Sequence, residues 1–257
     1  MTAPDHLGLC YASRSMKWYP NDTEELFNKN LADPKRRAEL KKFGWITADI
    51  TYNINSKGFR AEEFDTRQNF VTLGCSLTQG QALPVDKTWA NLVEQELGIH
   101  NWNLGVAGAS SDTCYRIARY YLPILKPDFV VMLAPESSRL EIFYDQISRP
   151  HVFRAKNDNP ETQRWLDSAW MKTWLADERN IELYAEKNAC AIGYICAQLG
   201  IDFYFFATHS IFNPLNPYPN FARDLQHPGT MLNKLFAQTV IDGIKSKKTF
   251  TGQIEST

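Results

Sequence analysis

From Asn69 onward, apolar runs of strand length alternate with longer stretches of helical spacing, and this alternation restricts the fold more than any other feature of the chain. Residues 69–73 (Asn-Phe-Val-Thr-Leu) are rich in β-formers and end at Gly74, a turn signal. Residues 88–97 set Trp89, Leu92, Val93 and Leu97 on one helical face, with Gly98 to close it. A second strand is predicted at residues 102–106. A helix is predicted at 110–125, with Ser111 or Asp112 as its N-cap and Pro127 beyond its end. Residues 129–133 are almost continuously apolar, as in a strand buried on both faces. A long helix at 180–199 stopped by Gly200, a buried strand at 201–207 and a helix at 230–244 complete the pattern. Such alternation builds a parallel sheet with right-handed crossovers and helices on both faces. Ligands in open sheets of this kind gather beyond the carboxyl ends of the strands, so the residues just after each strand are the ones to inspect.

The 257 residues suit one large α/β domain, or one domain with a sizeable insertion. As far as Phe64 the pattern is irregular. Aromatic anchors (Trp18, Tyr19, Phe27, Trp45) surround a charged run from Asp33 to Lys42 that reads as a short exposed helix. No linker-like change of composition follows. Residues 1–64 are therefore read as an N-terminal extension packed on a main domain of residues 65–257, with an insertion near 141–180. That insertion carries Trp165, Trp170 and Trp174 at roughly helical spacing. A packed amphipathic helix is the favoured reading, and a lid or stacking surface for a sugar-like substrate is the other.

Charge and cysteine usage exclude several classes. With 28 basic and 29 acidic residues the net charge is -1, which gives no broad field for nucleic acid. Lys245, Lys247 and Lys248 read as a solvated helix end. The five cysteines, Cys10, Cys75, Cys114, Cys190 and Cys196, are odd in number and fit no zinc spacing. The absence of a disulfide framework points to a reducing compartment. Residues 1–9 lack a basic region followed by an apolar run, so no signal peptide is read there. No stretch is apolar enough to span a bilayer. A cytoplasmic location, or a place in an assembly, is the expectation, with no membrane partner.

Two constellations carry chemistry. The first is Leu73-Gly-Cys-Ser-Leu-Thr-Gln-Gly80, directly after a strand. A serine on a tight strand-to-helix turn exposes its hydroxyl at the carboxyl edge of the sheet. Its own N–H lies near a helix N-terminus, where it can bind a developing oxyanion. A helix-capping serine would look the same in isolation, and the run is not the Gly-x-Ser-x-Gly elbow, because Leu77 and Thr78 follow the serine. The second is Asp224-Leu-Gln-His227-Pro-Gly229, just before the last helix. An Asp three residues before a His can hold one ring nitrogen and leave the other free as a general base. Pro228 and Gly229 keep the loop out of regular structure. A surface His in a helix-entry loop is the bland alternative; the pairing with the serine turn favours the chemical reading.

These residues resemble the SGNH (GDSL-like) hydrolase family. Gly74-Cys-Ser-Leu-Thr is similar to that family's first block, Gly-Asp-Ser-x-Thr, with Cys75 in place of Asp. Asn103-Leu-Gly-Val-Ala-Gly-Ala-Ser110 resembles the second block, whose glycine gives a backbone N–H to the oxyanion hole; Gly108 is the matching position. Asp224-x-x-His227 resembles the last block, which supplies acid and base. The resemblance spans roughly Asn69 to Ile244, and Asn55-Ser-Lys-Gly-Phe-Arg60 resembles a segment preceding the first block in some carbohydrate-acting members. It implies Ser76 as nucleophile, Asp224 and His227 as its partners, and the N–H groups of Ser76 and Gly108 as oxyanion donors.

One block departs from the pattern. The third is normally Gly-x-Asn-Asp, and its Asn donates to the oxyanion. Here the matching strand runs into Met132-Leu-Ala-Pro-Glu-Ser-Ser-Arg139, with no Asn. Glu136, Ser137 and Arg139 are the candidate rim residues. An ionised Glu136 can only accept, so either Ser137, Ser138 or Arg139 replaces the donor, or the chain is a slow or inactive relative. Cys75 is read as packing, and His6, His100, His151 and His209 as structure or solvent.

The fold class that follows is a three-layer α/β/α sandwich with a mostly parallel, flavodoxin-like sheet. The expected activity is that of a serine esterase acting on a small-molecule or carbohydrate ester, removing small acyl groups such as acetate, with no metal and no organic cofactor. A non-catalytic SGNH-like binding or structural module of a larger assembly is the rival. Acyl transfer through the same serine is a third reading.

Overall fold

The computed structural model describes residues 3–142, 151–153, 169–208 and 218–250. Ahead of the sheet, β1 (Arg14–Met16) pairs antiparallel with β2 (Tyr52–Ile54). Between them lie α1 (Glu24–Ala32), capped by the Thr23 side chain, and α2 (Pro34–Lys42), capped by Asp33. The charged run is thus a short helix with Pro at its start, as its sequence suggests.

The central sheet holds β3 (Asn69–Leu73), β4 (His100–Asn103), β5 (Phe129–Ala134) and β8 (Asp202–Ala207), all parallel, in the order β4-β3-β5-β8. The chain leaves β3 toward one edge and returns to β5 on its other side. This is the doubly wound arrangement, and its switch point lies between β3 and β5. Period-two alternation sorts the side chains of β5. Val130 and Met132 join one core with Val71, Leu73 and Phe203, while Phe129, Val131 and Leu133 join the other with Phe70 and Tyr204. The first core is closed by α5 (Ser111–Leu125) and α7 (Glu178–Leu199), and the second by α4 (Trp89–Leu97) and α8 (Thr230–Lys245). The protein is therefore α/β, with helices on both faces of a parallel sheet.

Two expectations are corrected. The second strand is residues 100–103 rather than 102–106. Asn103 turns the chain: its Oδ1 accepts from Gly105 N at 2.9 Å and its Nδ2 donates to Thr78 O at 2.7 Å. Leu104 and Val106 still donate to the carbonyls of Thr72 and Gly74, but as a loop laid along the end of β3. The helix that follows is capped by Ser110, in a capping box with Thr113, and not by Ser111 or Asp112. Asp112 instead accepts from Tyr184 Oη at 2.6 Å and Asn188 Nδ2 at 3.1 Å, tying α5 to α7.

A third apolar cluster gathers Tyr19, Leu40, Trp45, Ile50, Tyr52 and Ile54 of the N-terminal segment with Ala82, Leu83, Ala107 and Ala222. A short antiparallel pair, β6 (Leu140–Ile142) and β7 (His151–Phe153), follows β5. Of the predicted insertion, residues 143–150 and 154–168 lie outside the described residues, and Trp165 with them. In α6 (Ala169–Ala176), Trp174 sets its ring edge-on to Tyr184; the Trp170 side chain is not among the described ones. Among the described residues no helix is long and apolar enough to cross a membrane.

Candidate active site

Ser76 sits where β3 leaves the sheet. Gly74 takes φ 155, and a Cβ there would stand 2.7 Å from the carbonyl oxygen of Leu133 in the neighbouring strand, so only glycine fits. Ser76 then opens the four-residue α3 (Ser76–Gln79), which Gly80 closes in the left-handed conformation. The carbonyl of Ser76 accepts from Gly80 N and Gln81 N, at 3.0 Å each. The loop after β4 locks this turn from the side. Gly105 lies so close that a Cβ would stand 2.6 Å from Gln79 N.

The Asp224–His227 loop comes from the far end of the chain. It is a narrow bend whose limbs are joined by Ala222 N to His227 O at 2.9 Å and Gly229 N to Asn220 O at 3.0 Å. Asp224 is 2 % exposed. Its Oδ1 accepts the backbone N–H groups of Gln226 and His227, both at 3.0 Å. That leaves Oδ2 for His227 Nδ1, at 2.5 Å. His227 Nε2 stands 2.9 Å from Ser76 Oγ across 151 residues of sequence. With Nδ1 carrying the proton toward Asp224, Nε2 is an acceptor aimed at the serine hydroxyl. Ser76 itself is 6 % exposed. A cavity of about 10 Å³ abuts the pair, walled by Leu77, Leu83 and Trp89. That is about the least space that admits one water.

Gly108 has φ 77, a left-handed conformation that suits glycine. Among the described residues, neither its N–H nor that of Ser76 has a hydrogen-bond partner.

The loop after β5 is arranged differently. Glu136 is exposed and held within its own turn. It accepts from Ser138 Oγ at 3.0 Å and pairs with Arg139 at 3.5 Å. Arg139 Nη1 donates to Ala109 O at 3.1 Å, one residue beyond Gly108. Ser137 is half-buried and makes no hydrogen bond among the described residues. None of Glu136, Ser137 or Arg139 bonds to Ser76 or His227 among the described contacts. The structure thus brings Ser76, Asp224 and His227 together, sets Arg139 beside the Gly108 loop, and leaves Glu136 turned to its own turn and solvent.

Cys75 is 2 % exposed and packs in the cluster of Val71, Leu73 and Trp102. His6 stacks on Phe59, and His100 pairs with Glu94 at 2.9 Å. The side chains of His151 and His209 are outside the described ones. Among the described residues no three His, Cys, Asp or Glu side chains converge as a metal site would require.

Sequence reasoning missed a buried polar group behind the site. Arg60 reaches the carbonyls of Gly80 at 2.6 Å, Leu83 at 2.9 Å and Thr51 at 3.0 Å, so it grips the loop that leaves α3. Its burial pulls its pKa below the usual guanidinium value. Tyr52, beneath it, has its pKa raised, by burial first and then by the neighbouring Asp22 carboxylate. Burial pushes Tyr19 up to about 12. An Arg within the run Asn55 to Arg60 was the visible signal, but nothing local says where it points.

No family model matches the chain, and no curated protein sequence matches it. Solved structures do. One is the psychrotrophic esterase EstA from Pseudoalteromonas sp., at 15 % identity and a TM-score of 0.40, covering 71 % of this chain and 98 % of that one. Another, TesA, has 16 % identity and a TM-score of 0.38, covering 70 % and 99 %. A third is a lipolytic protein of the G-D-S-L family from Desulfitobacterium hafniense DCB-2, at 14 % and 0.38, covering 68 % and 98 %. At these scores the likeness is one of outline.

Proposed function

We propose that this chain is a serine ester hydrolase, with Ser76 as nucleophile, His227 as general base and then acid, and Asp224 as the group that orients the imidazole. The observation that carries this reading is the relay from Asp224 Oδ2 through His227 to Ser76 Oγ, at 2.5 and 2.9 Å, assembled from the two ends of a parallel sheet domain. Ser76 Oγ attacks the acyl carbon as its proton passes to His227 Nε2. The tetrahedral oxyanion is received by the N–H groups of Ser76 and Gly108. His227 then protonates the leaving alcohol oxygen, and water repeats the sequence on the acyl-serine. Asp224 stays ionised and fixes the tautomer. The acyl group is taken to be small, such as acetate, on a small-molecule or carbohydrate alcohol, as the resemblance of the sequence motifs implies.

Hydrolysis of a chromogenic acetyl ester by the wild-type protein, lost in Ser76→Ala at unchanged circular dichroism, is the expected result. Equal turnover by Ser76→Ala would overturn the reading. A second reading, a binding module that keeps the relay without turnover, has one observation in its favour. The loop after β5 presents no amide where the resembled family has its third donor, and Arg139 is spent on Ala109 O and Glu136. Turnover of that ester removes this reading too.

A further inference from the structure

We propose that the N-terminal segment is a working part of the site, with Asp22 and Arg223 acting as positioning residues that hold His227 in line with Ser76. This rests on the relay reading above. Arg223 immediately precedes Asp224. Its Nε donates to Asp22 Oδ1 at 3.0 Å and its Nη2 to Asp22 Oδ2 at 2.6 Å, a two-pronged pair with both side chains almost wholly buried. Nη2 also donates to Lys17 O at 2.8 Å, and the guanidinium lies over the Trp18 ring at 4.1 Å.

The pair is one side of a closed circuit. Asp22 Oδ2 also accepts from Tyr52 Oη at 2.5 Å. Tyr52 Oη accepts in turn from Ala82 N at 2.8 Å, and Ala82 O accepts from Arg223 N at 3.1 Å. Ala82 has φ 60, a left-handed conformation that non-glycine residues rarely adopt, and both of its backbone polar groups are held by this circuit. Ala82 belongs to the loop leaving Ser76, and Arg223 to the loop bearing Asp224 and His227. The circuit therefore couples the nucleophile's loop to the base's loop through residues 17–22 and Tyr52. Two more contacts from the same segment reach the base's loop: Trp45 Nε1 to Phe221 O at 2.8 Å and Asn30 Nδ2 to Asp224 O at 3.5 Å. A segment that only covered apolar surface would need none of these directed bonds.

The bidentate geometry predicts that charge alone will not substitute. Lysine is a point donor and cannot span both carboxylate oxygens. Arg223→Lys is expected to lower kcat for the acetyl ester at least tenfold while KM moves less than threefold. It is also expected to broaden or abolish the low-field proton NMR signal of His227 Nδ1–H. Asp22→Asn should do the same, because it weakens the acceptor from the other side. Val240→Ala, a core truncation toward the C-terminal end of α8, beyond the first turn that touches the base's loop, serves as the control for lost stability. Corrected for the fraction folded, it should keep both kcat and the NMR signal. An unchanged signal in a folded Arg223→Lys variant overturns the proposal, as does a kcat no lower than that of the Val240→Ala control. If the wild-type protein turns over no ester, the relay reading fails on its own, and the NMR comparison still decides whether Arg223 sets the imidazole.

Discussion

Two loops at the carboxyl edge of the sheet are held by opposite means. The Asp224–His227 loop is fixed from behind by a buried ion pair, a buried tyrosine and backbone bonds to its own limbs. The loop after β5 is fixed by a partly exposed Arg139–Glu136 pair and one bond to Ala109 O. Buried charges held by a two-pronged pair favour one geometry, because breaking the pair strands a charge in a dry interior. Exposed pairs are screened and contribute little. On the proposed reading the Asp224–His227–Ser76 relay is preorganised, whereas the loop after β5 is the less constrained side, and that is where the sequence departs from the resembled pattern.

The comparison breaks most easily at the base. His227→Ala should lower kcat for the acetyl ester by roughly 10⁴-fold or more, as removal of a relay member does in serine hydrolases. Steady-state kinetics reads this directly, and a loss of only tenfold would mean that another group takes the serine proton. Asp224→Asn comes next. The amide keeps the shape but can favour the wrong tautomer, so kcat should fall by roughly 10²- to 10⁴-fold with a smaller change in KM. An effect mainly on KM would point to a binding role instead.

Changes in the other loop sharpen the contrast. Arg139→Ala removes the bond to Ala109 O that steadies the Gly108 loop and should lower kcat/KM by no more than about tenfold, the worth of one ordinary hydrogen bond. If kcat/KM is unaffected, the site rests on its two backbone N–H groups. Glu136→Asn should leave kcat/KM within about threefold of wild type, or raise it, since it removes an anion and adds an amide where the resembled family has one. A large loss there would show that the carboxylate is needed. The smallest effect on rate is expected from Cys75→Ala. Thermal unfolding should register about 1 kcal/mol of lost packing, the central value for a point change, while kcat is kept.

How far the sequence predicts the structure depends on how local the cause is. The bounds of β3 were readable because Gly74 ends it sharply, and the end of α4 because Gly98 closes it; its start was read one residue early, at Thr88, which is the N-cap. β4 was read too far toward the C-terminus, since Leu104 and Val106 look like strand residues and only the tertiary bond from Asn103 to Thr78 O turns the chain. α1 went unread, for its apolar face is short. Ser76, Asp224 and His227 could be named because each sits in a compact motif. Asp22 and Arg223 could not. They are separated by 201 residues, and each alone looks like an ordinary surface charge. Arg60 was inside a noted motif, yet its task of holding three carbonyls has no trace in local spacing.

The most direct test of the proposed chemistry is covalent. The protein is incubated with a p-nitrophenyl alkylphosphonate, and the released nitrophenol and the intact mass are followed together. The account predicts one equivalent of nitrophenol, one phosphonyl adduct mapped by peptide mass spectrometry to Ser76, and loss of both in His227→Ala. No adduct on a folded wild-type protein, or an adduct on another residue such as Cys75, would contradict it.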